Sequence, residues 1–126
     1  MSDSLHPPLP PAELAALTFA LRELLAALPA GQPLPTYHEV ARALGLKPPH
    51  TVYRVIQALE QTMREDAAAG RPLIAARVVS RVRDRLPAPG FFDLARRLGL
   101  HDGGESGPAA RAFHQAQLRA LAVPGR

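Results

Sequence analysis

The chain has 126 residues, 47% hydrophobic and 21% charged, which suits one globular domain able to bury a core without crosslinks. It has no cysteine, so disulfides, thiol catalysis and thiolate metal sites are excluded, and no apolar run approaches the length of a membrane span. The net charge of +4 is uneven: residues 1–35 sum to −2, residues 36–100 carry eleven basic against six acidic residues, and the remainder sums to +1. The opening MSDSLHPP lacks the features of a signal peptide, so the expectation is a cytoplasmic protein with no membrane association.

Residues 1–11 are short, polar and proline-rich, and a flexible N-terminus is expected there. Pro10-Pro11 then opens a helix, since proline is tolerated in a first turn. Leu14, Leu17, Leu21, Leu24, Leu25 and Leu28 give it a wide apolar stripe, and Pro29 to Pro33 end it. That helix is expected to pack across the elements that follow; the other use of its stripe from Leu14 to Leu28 is a homodimer or protein-partner interface. No heptad register is sustained, which argues against a coiled coil.

Residues 36–64, TYHEVARALGLKPPHTVYRVIQALEQTMR, read as two helices joined by a tight turn. Thr36 with Glu39 forms a capping box, in which a hydroxyl and a carboxylate each satisfy an orphan amide. Tyr37, Val40, Ala41 and Leu44 recur at helical spacing, and Gly45 supplies the left-handed residue that stops a helix. Lys47-Pro48-Pro49 forbids continuation, and a longer helix starts near His50 or Thr51. Its apolar stripe is Val52, Val55, Ile56, Leu59 and Met63. His50, Arg54, Gln57, Gln61 and Arg64 occupy the opposite face. A short helix, a glycine turn and a longer helix with a basic and amide outer face is the helix-turn-helix signature. Arg and Gln are the side chains that make paired contacts to guanine and adenine edges in the major groove.

Leu73 to Ser80, LIAARVVS, reads as a strand closing on paired valines. Arg81, Arg83 and Arg85 follow on alternate residues, before Leu86-Pro87-Ala88-Pro89-Gly90. An extended chain would point all three arginines one way, as in the β-hairpin wing of a winged helix. Phe91 to Leu98 is a further short helix ended by Gly99, with Phe91 or Phe92 plugging the core. Residues 101–107 are a loop, and Pro108 starts a last helix to Ala122. The division expected is residues 1–11 flexible, 12–100 the winged helix-turn-helix with its N-terminal helix, and 101–126 a loop and C-terminal helix.

Catalytic constellations are missing. His6, His38, His50, His101 and His114 are not paired at helical ligand spacing, and Ser80 and Ser106 lack nucleophile-elbow surroundings. His101-Asp102 lacks the further ligands of a metal phosphohydrolase, and there is no phosphate loop. No enzyme, no cofactor and no metal are expected.

The run from Thr36 to Phe92 resembles the winged helix-turn-helix of the alkylguanine-DNA alkyltransferase and alkyltransferase-like family. Tyr37-His38-Glu39-Val40-Ala41 and Leu44-Gly45 stand in place of that family's Tyr-Gly-Glu-Val-Ala-like opening. Pro48-Pro49 and Thr51 to Leu59 stand for its proline-containing turn and recognition helix, and Arg77-Val78-Val79 for its Arg-Val-Val strand. The family's reactive Pro-Cys-His-Arg motif is replaced by Ala75-Ala76-Arg77, so alkyl transfer to a thiolate is impossible. The family's helix arginine aligns near Tyr53 or Arg54, which makes Tyr53 either an aromatic wedge or a residue at the edge of the core.

The fold expected is therefore mainly α with a small β-hairpin, a winged helix-turn-helix with extra N- and C-terminal helices. The function expected is non-catalytic binding of double-stranded DNA by a transcriptional or accessory regulator, bacterial or phage-like. The helix from Thr51 enters the major groove with His50, Arg54 and Gln57 near bases. Lys47, Gln61 and Arg64, with Arg81, Arg83 and Arg85 from the wing, rest on phosphates. The alternatives are a protein-interaction module on the same scaffold and a nonenzymatic sensor of damaged bases, with a pocket lined by Tyr37, Tyr53 and the 73–79 strand.

Overall fold

The computed structural model describes residues 7–123; the remainder of the expected N-terminal segment and residues 124–126 lie outside the described residues. Five α-helices follow in order: α1 (Pro11–Ala26), α2 (Tyr37–Ala43), α3 (Thr51–Ala69), α4 (Pro89–Arg97) and α5 (Gly107–Leu121), with a 3-10 turn at Ile74–Arg77 between α3 and α4. The chain is mainly helical, as its periodicity requires.

Local chemistry sets the helix ends. The Glu39 amide donates to the Thr36 hydroxyl at 3.2 Å and the Thr36 amide to the Glu39 carboxylate at 2.9 Å, which completes the capping box. Such caps contribute about 1 kcal/mol. At the other end of α2 the Gly45 amide donates to the Arg42 carbonyl and the Leu46 amide to the Ala41 carbonyl, a Schellman closure. Gly45 takes φ 72°, which a side chain would oppose. Gly70 ends α3 in the same manner. Pro89 occupies the first turn of α4, so that helix starts ahead of the phenylalanines.

The core is one cluster. Leu21 and Leu25 of α1, Val40 of α2, Val55 and Met63 of α3, and Phe92 of α4 are fully buried in it. α1 packs chiefly on α3, and the 3-10 turn is gripped between α3 and α5. Leu14, Leu17, Leu24 and Leu28 are half-buried against the same cluster, so the leucine stripe faces the protein's own interior. What α1 exposes instead is Phe19, at 68%.

The strand expected over residues 73–80 is a 3-10 turn followed by two extended residues. Among the described residues no β-strand forms, and the isolated parallel bridge between Thr36 and Val79 is the remnant of one. The physical reason lies in distant side chains. Gln117 of α5 accepts the Leu73 amide at 2.8 Å, and Asp66 of α3 accepts the Ile74 amide at 3.1 Å. Donors that a ladder would need are thereby spent, and Ala75-Ala76 offers no β-branched surface for a sheet. No hairpin follows either. Residues 81–85 form turns, with Asp84 and Arg85 at φ 53° and 65°.

Three polar nodes, two of them buried, tie the helices together. Asp66, 1% exposed, accepts from Arg22 of α1 at 3.0 Å, from Arg71 at 2.9 Å and from the Ile74 amide. Arg77 donates to the Leu25 carbonyl at 2.9 Å and the Leu121 carbonyl at 3.3 Å, closing the C-terminal ends of α1 and α5 together. His114 of α5, 3% exposed, lies 2.8 Å from the Ala76 carbonyl through Nε2, which must carry the proton to donate. Burial pushes its pKa below 6.5. The unfolded chain therefore binds this proton more readily than the folded one. Stability from neutral His114 is complete above pH 6.5 and falls as pH drops below it. One proton sets the limit at about 1.4 kcal/mol per pH unit. Urea titrations between pH 7.5 and 5 are expected to show this loss, and His114→Gln, which keeps a donor for Ala76, to flatten it.

Candidate nucleic-acid interface

The first turn of α3, Thr51 to Arg54, is half-buried and lies in the molecule's basic region. His50 precedes it in the left-handed conformation, φ 58°, and provides no side-chain cap. The amides of the first turn lie at the positive end of a 19-residue helix whose N-cap residue makes no side-chain bond to them. Two adjoining depressions open beside this end. One, of about 400 Å³, is lined by His38, His50, Thr51, Val52, Tyr53 and Ile56. The other, of about 410 Å³, shares His38, Val52 and Ile56 and adds Thr36, Tyr37, Ser80, Arg81, Val82 and Ala88.

The loop after the 3-10 turn forms the far wall. The Ser80 amide donates to the Leu86 carbonyl at 2.8 Å and closes the loop at its base. Arg83 is its internal brace: its Nε donates to the Pro87 carbonyl at 3.1 Å and its guanidinium also bonds the Glu105 carbonyl. Asp84 pairs with Arg111 of α5 at 2.9 Å. The three arginines therefore do not share a face. Arg83 points inward, whereas Arg81 and Arg85 are exposed and have no hydrogen-bond or ion-pair partner among the described residues. Val82 between them is 86% exposed.

The other residues singled out divide in the same way. Lys47 is exposed in the turn, and its side chain has no partner among the described residues. Arg54 is turned back on that turn, bonding the Lys47 carbonyl and, at 2.9 Å, the Pro49 carbonyl. It lines a depression against α1 with Leu9, Leu17 and Leu46, on the flank of α3 away from Arg81. Gln61 donates to Glu65 at 3.1 Å and Arg64 lies 3.7 Å from Glu60, ordinary pairs one turn apart. Gln57 bonds residues 7–9 of the chain's own N-terminal segment. Tyr53 and Thr51 are half-buried at the rim of the first depression.

Tyr37 is buried, and its hydroxyl accepts from the Ala88 amide at 2.8 Å; burial pushes its pKa to about 12. It lines the second depression and Tyr53 the first. His38 is the residue that sequence reasoning missed. It borders both depressions, and its position two residues after the Thr36 cap, on the outward side of α2, is the signal that could have found it. Among the described residues no group of three or more His, Cys, Asp or Glu could hold a metal, and no helix is long and apolar enough to cross a membrane. Comparison with protein families, with curated proteins and with solved structures finds no match to this chain.

Proposed function

We propose that the protein is a non-catalytic binder of double-stranded DNA, a regulator of winged helix-turn-helix type in which the braced loop 80–86 takes the place of a hairpin wing. The observation that carries this reading is the grouping of the N-terminal end of α3 with Arg81 around one pair of depressions. Lys47 and Arg85 supply further exposed cations with no partner among the described residues. Phosphate oxygens are satisfied by such a set: main-chain amides at a helix start, and guanidinium groups on a braced loop. In this reading His50, Thr51 and Tyr53 lie nearest the groove floor, Lys47, Arg81 and Arg85 rest on phosphates, and Arg54 and Arg83 hold the two walls in shape.

The test is fluorescence anisotropy with a mixed-sequence duplex at several salt concentrations, comparing wild type with an Arg81→Ala/Arg85→Ala double variant. Binding is expected to weaken steeply with salt. The double variant is expected to lower the log–log slope by about one for each phosphate that it no longer neutralises, without altering thermal stability. No binding by the folded protein at low salt would sink the proposal.

One observation favours a second reading, a protein-interaction module. Arg54 and Arg81 lie on opposite flanks of α3, and Phe19 stands exposed amid alanines on the outer side of α1. Under that reading the anisotropy signal is absent and Phe19→Ser abolishes self-association or partner capture.

A further inference from the structure

Gln57 carries a planar amide with an acceptor edge and a donor edge, and both are occupied by main chain from far away in sequence. The Leu9 amide donates to Oε1 at 2.9 Å, and Nε2 donates to the Pro7 carbonyl at 3.3 Å. A glutamine reading adenine in the major groove makes the same pair of bonds, accepting from N6–H and donating to N7. The peptide edge of residues 7–9 therefore presents to α3 the donor and acceptor pattern of an adenine. Leu9 anchors this edge from beside it, half-buried in the depression that Leu17, Leu46 and Arg54 line.

We propose that residues 7–10 are an intramolecular competitor for the base-reading edge of α3, so that DNA placing an adenine at Gln57 must first displace them. The inference rests on the DNA-binding reading and assigns within it one base-reading residue and the base it takes. The hold is suited to release. Pro7, Pro8, Pro10 and Pro11 have no amide hydrogen, so Leu9 provides the single main-chain donor of residues 7–11. Pro7, Pro8 and Pro10 are exposed and contribute no burial of their own. Proline also fixes the backbone of the segment, so little order is lost when it docks and little is regained when it leaves.

The experiment is a double-mutant cycle on the full chain, with duplexes containing adenine tracts, read by anisotropy. Leu9→Pro removes the amide donor while leaving α3 untouched, and Leu9→Ala keeps that donor and removes the anchor. Leu9→Pro is expected to bind roughly tenfold tighter than wild type, equivalent to about 1.4 kcal/mol, with Leu9→Ala between the two. In a Gln57→Ala background, Leu9→Pro is expected to confer no gain, because the competitor then has nothing to cover. Equal or weaker binding by Leu9→Pro, or an equal gain with and without Gln57, overturns the inference while DNA binding by wild type stands. Failure of all five proteins to bind at low salt overturns the DNA reading and the inference with it.

Discussion

Phe92→Ala is expected to cost about 3–5 kcal/mol of folding stability, the range for emptying a buried aromatic site. Phe92 is fully buried, and its ring meets Phe91 edge-on at 5.1 Å, Phe113 at 6.4 Å and His101 at 5.6 Å. These partners come from α4, from α5 and from the loop between them, so no single neighbour can move in to fill the space. For a domain of this size the loss corresponds to a fall in Tm of roughly 10–20 °C. Scanning calorimetry or urea unfolding measures it directly. Phe19→Ser, at a site 68% exposed, is the control and is expected to stay within about 0.5 kcal/mol of wild type. A drop below about 1 kcal/mol for Phe92→Ala would mean that the aromatic cluster does not hold α4 and α5 to the rest.

Asp66→Ala is the other large effect, and its origin is electrostatic. The carboxylate is 1% exposed and has three donors: Arg22, Arg71 and the Ile74 amide. Removing it leaves the partly buried Arg22 guanidinium with Glu65 and the Thr62 carbonyl, and leaves an amide with no acceptor. Arg71 is more than half exposed, so water replaces part of its loss. Arg22 and the Ile74 amide are less forgiving, and the expected cost is about 3 kcal/mol. Asp66→Asn separates shape from charge. It retains an acceptor for Ile74 but not the ion pairs, and is expected to lose less than Asp66→Ala in the same urea titration. Equal losses for the two would place the effect wholly in the ion pairs, and a near-wild-type Asp66→Asn would place it in packing and the Ile74 bond.

The helices were legible because each carries its own local instructions. Thr36 and Glu39 are three residues apart and cap each other, Gly45 and Gly70 end the helices they follow, and the stripe from Val52 to Met63 names the face that is buried. Phe91 or Phe92 was expected in the core because two of the four phenylalanines meet there, and both are buried. What failed was decided at long range. Residues 73–80 have a strand's composition, but Gln117 and Asp66 take the amides that a strand would use, and neither is near them in sequence. The alternating arginines 81, 83 and 85 presume an extended backbone; Arg83 instead found carbonyls at Pro87 and Glu105. At the candidate interface, Lys47, Arg81 and Arg85 were visible as charge. The diversion of Arg54 and Gln57 to the chain's own carbonyls and amides was not, because backbone partners leave no mark in a sequence.

The junction at Arg77 has a consequence for the order in which the molecule can be completed on the ribosome. Its guanidinium reaches Leu25 behind it and Leu121 ahead of it, 52 and 44 residues away. Close by, the Ala76 carbonyl awaits His114 and the Leu73 amide awaits Gln117. Every one of these forward partners belongs to α5. While α5 is still in the exit tunnel, the centre of the nascent chain therefore holds a carbonyl, an amide and one arm of a guanidinium whose partners have not yet emerged. The core can gather as translation proceeds, but it seals only once α5 has emerged from the tunnel.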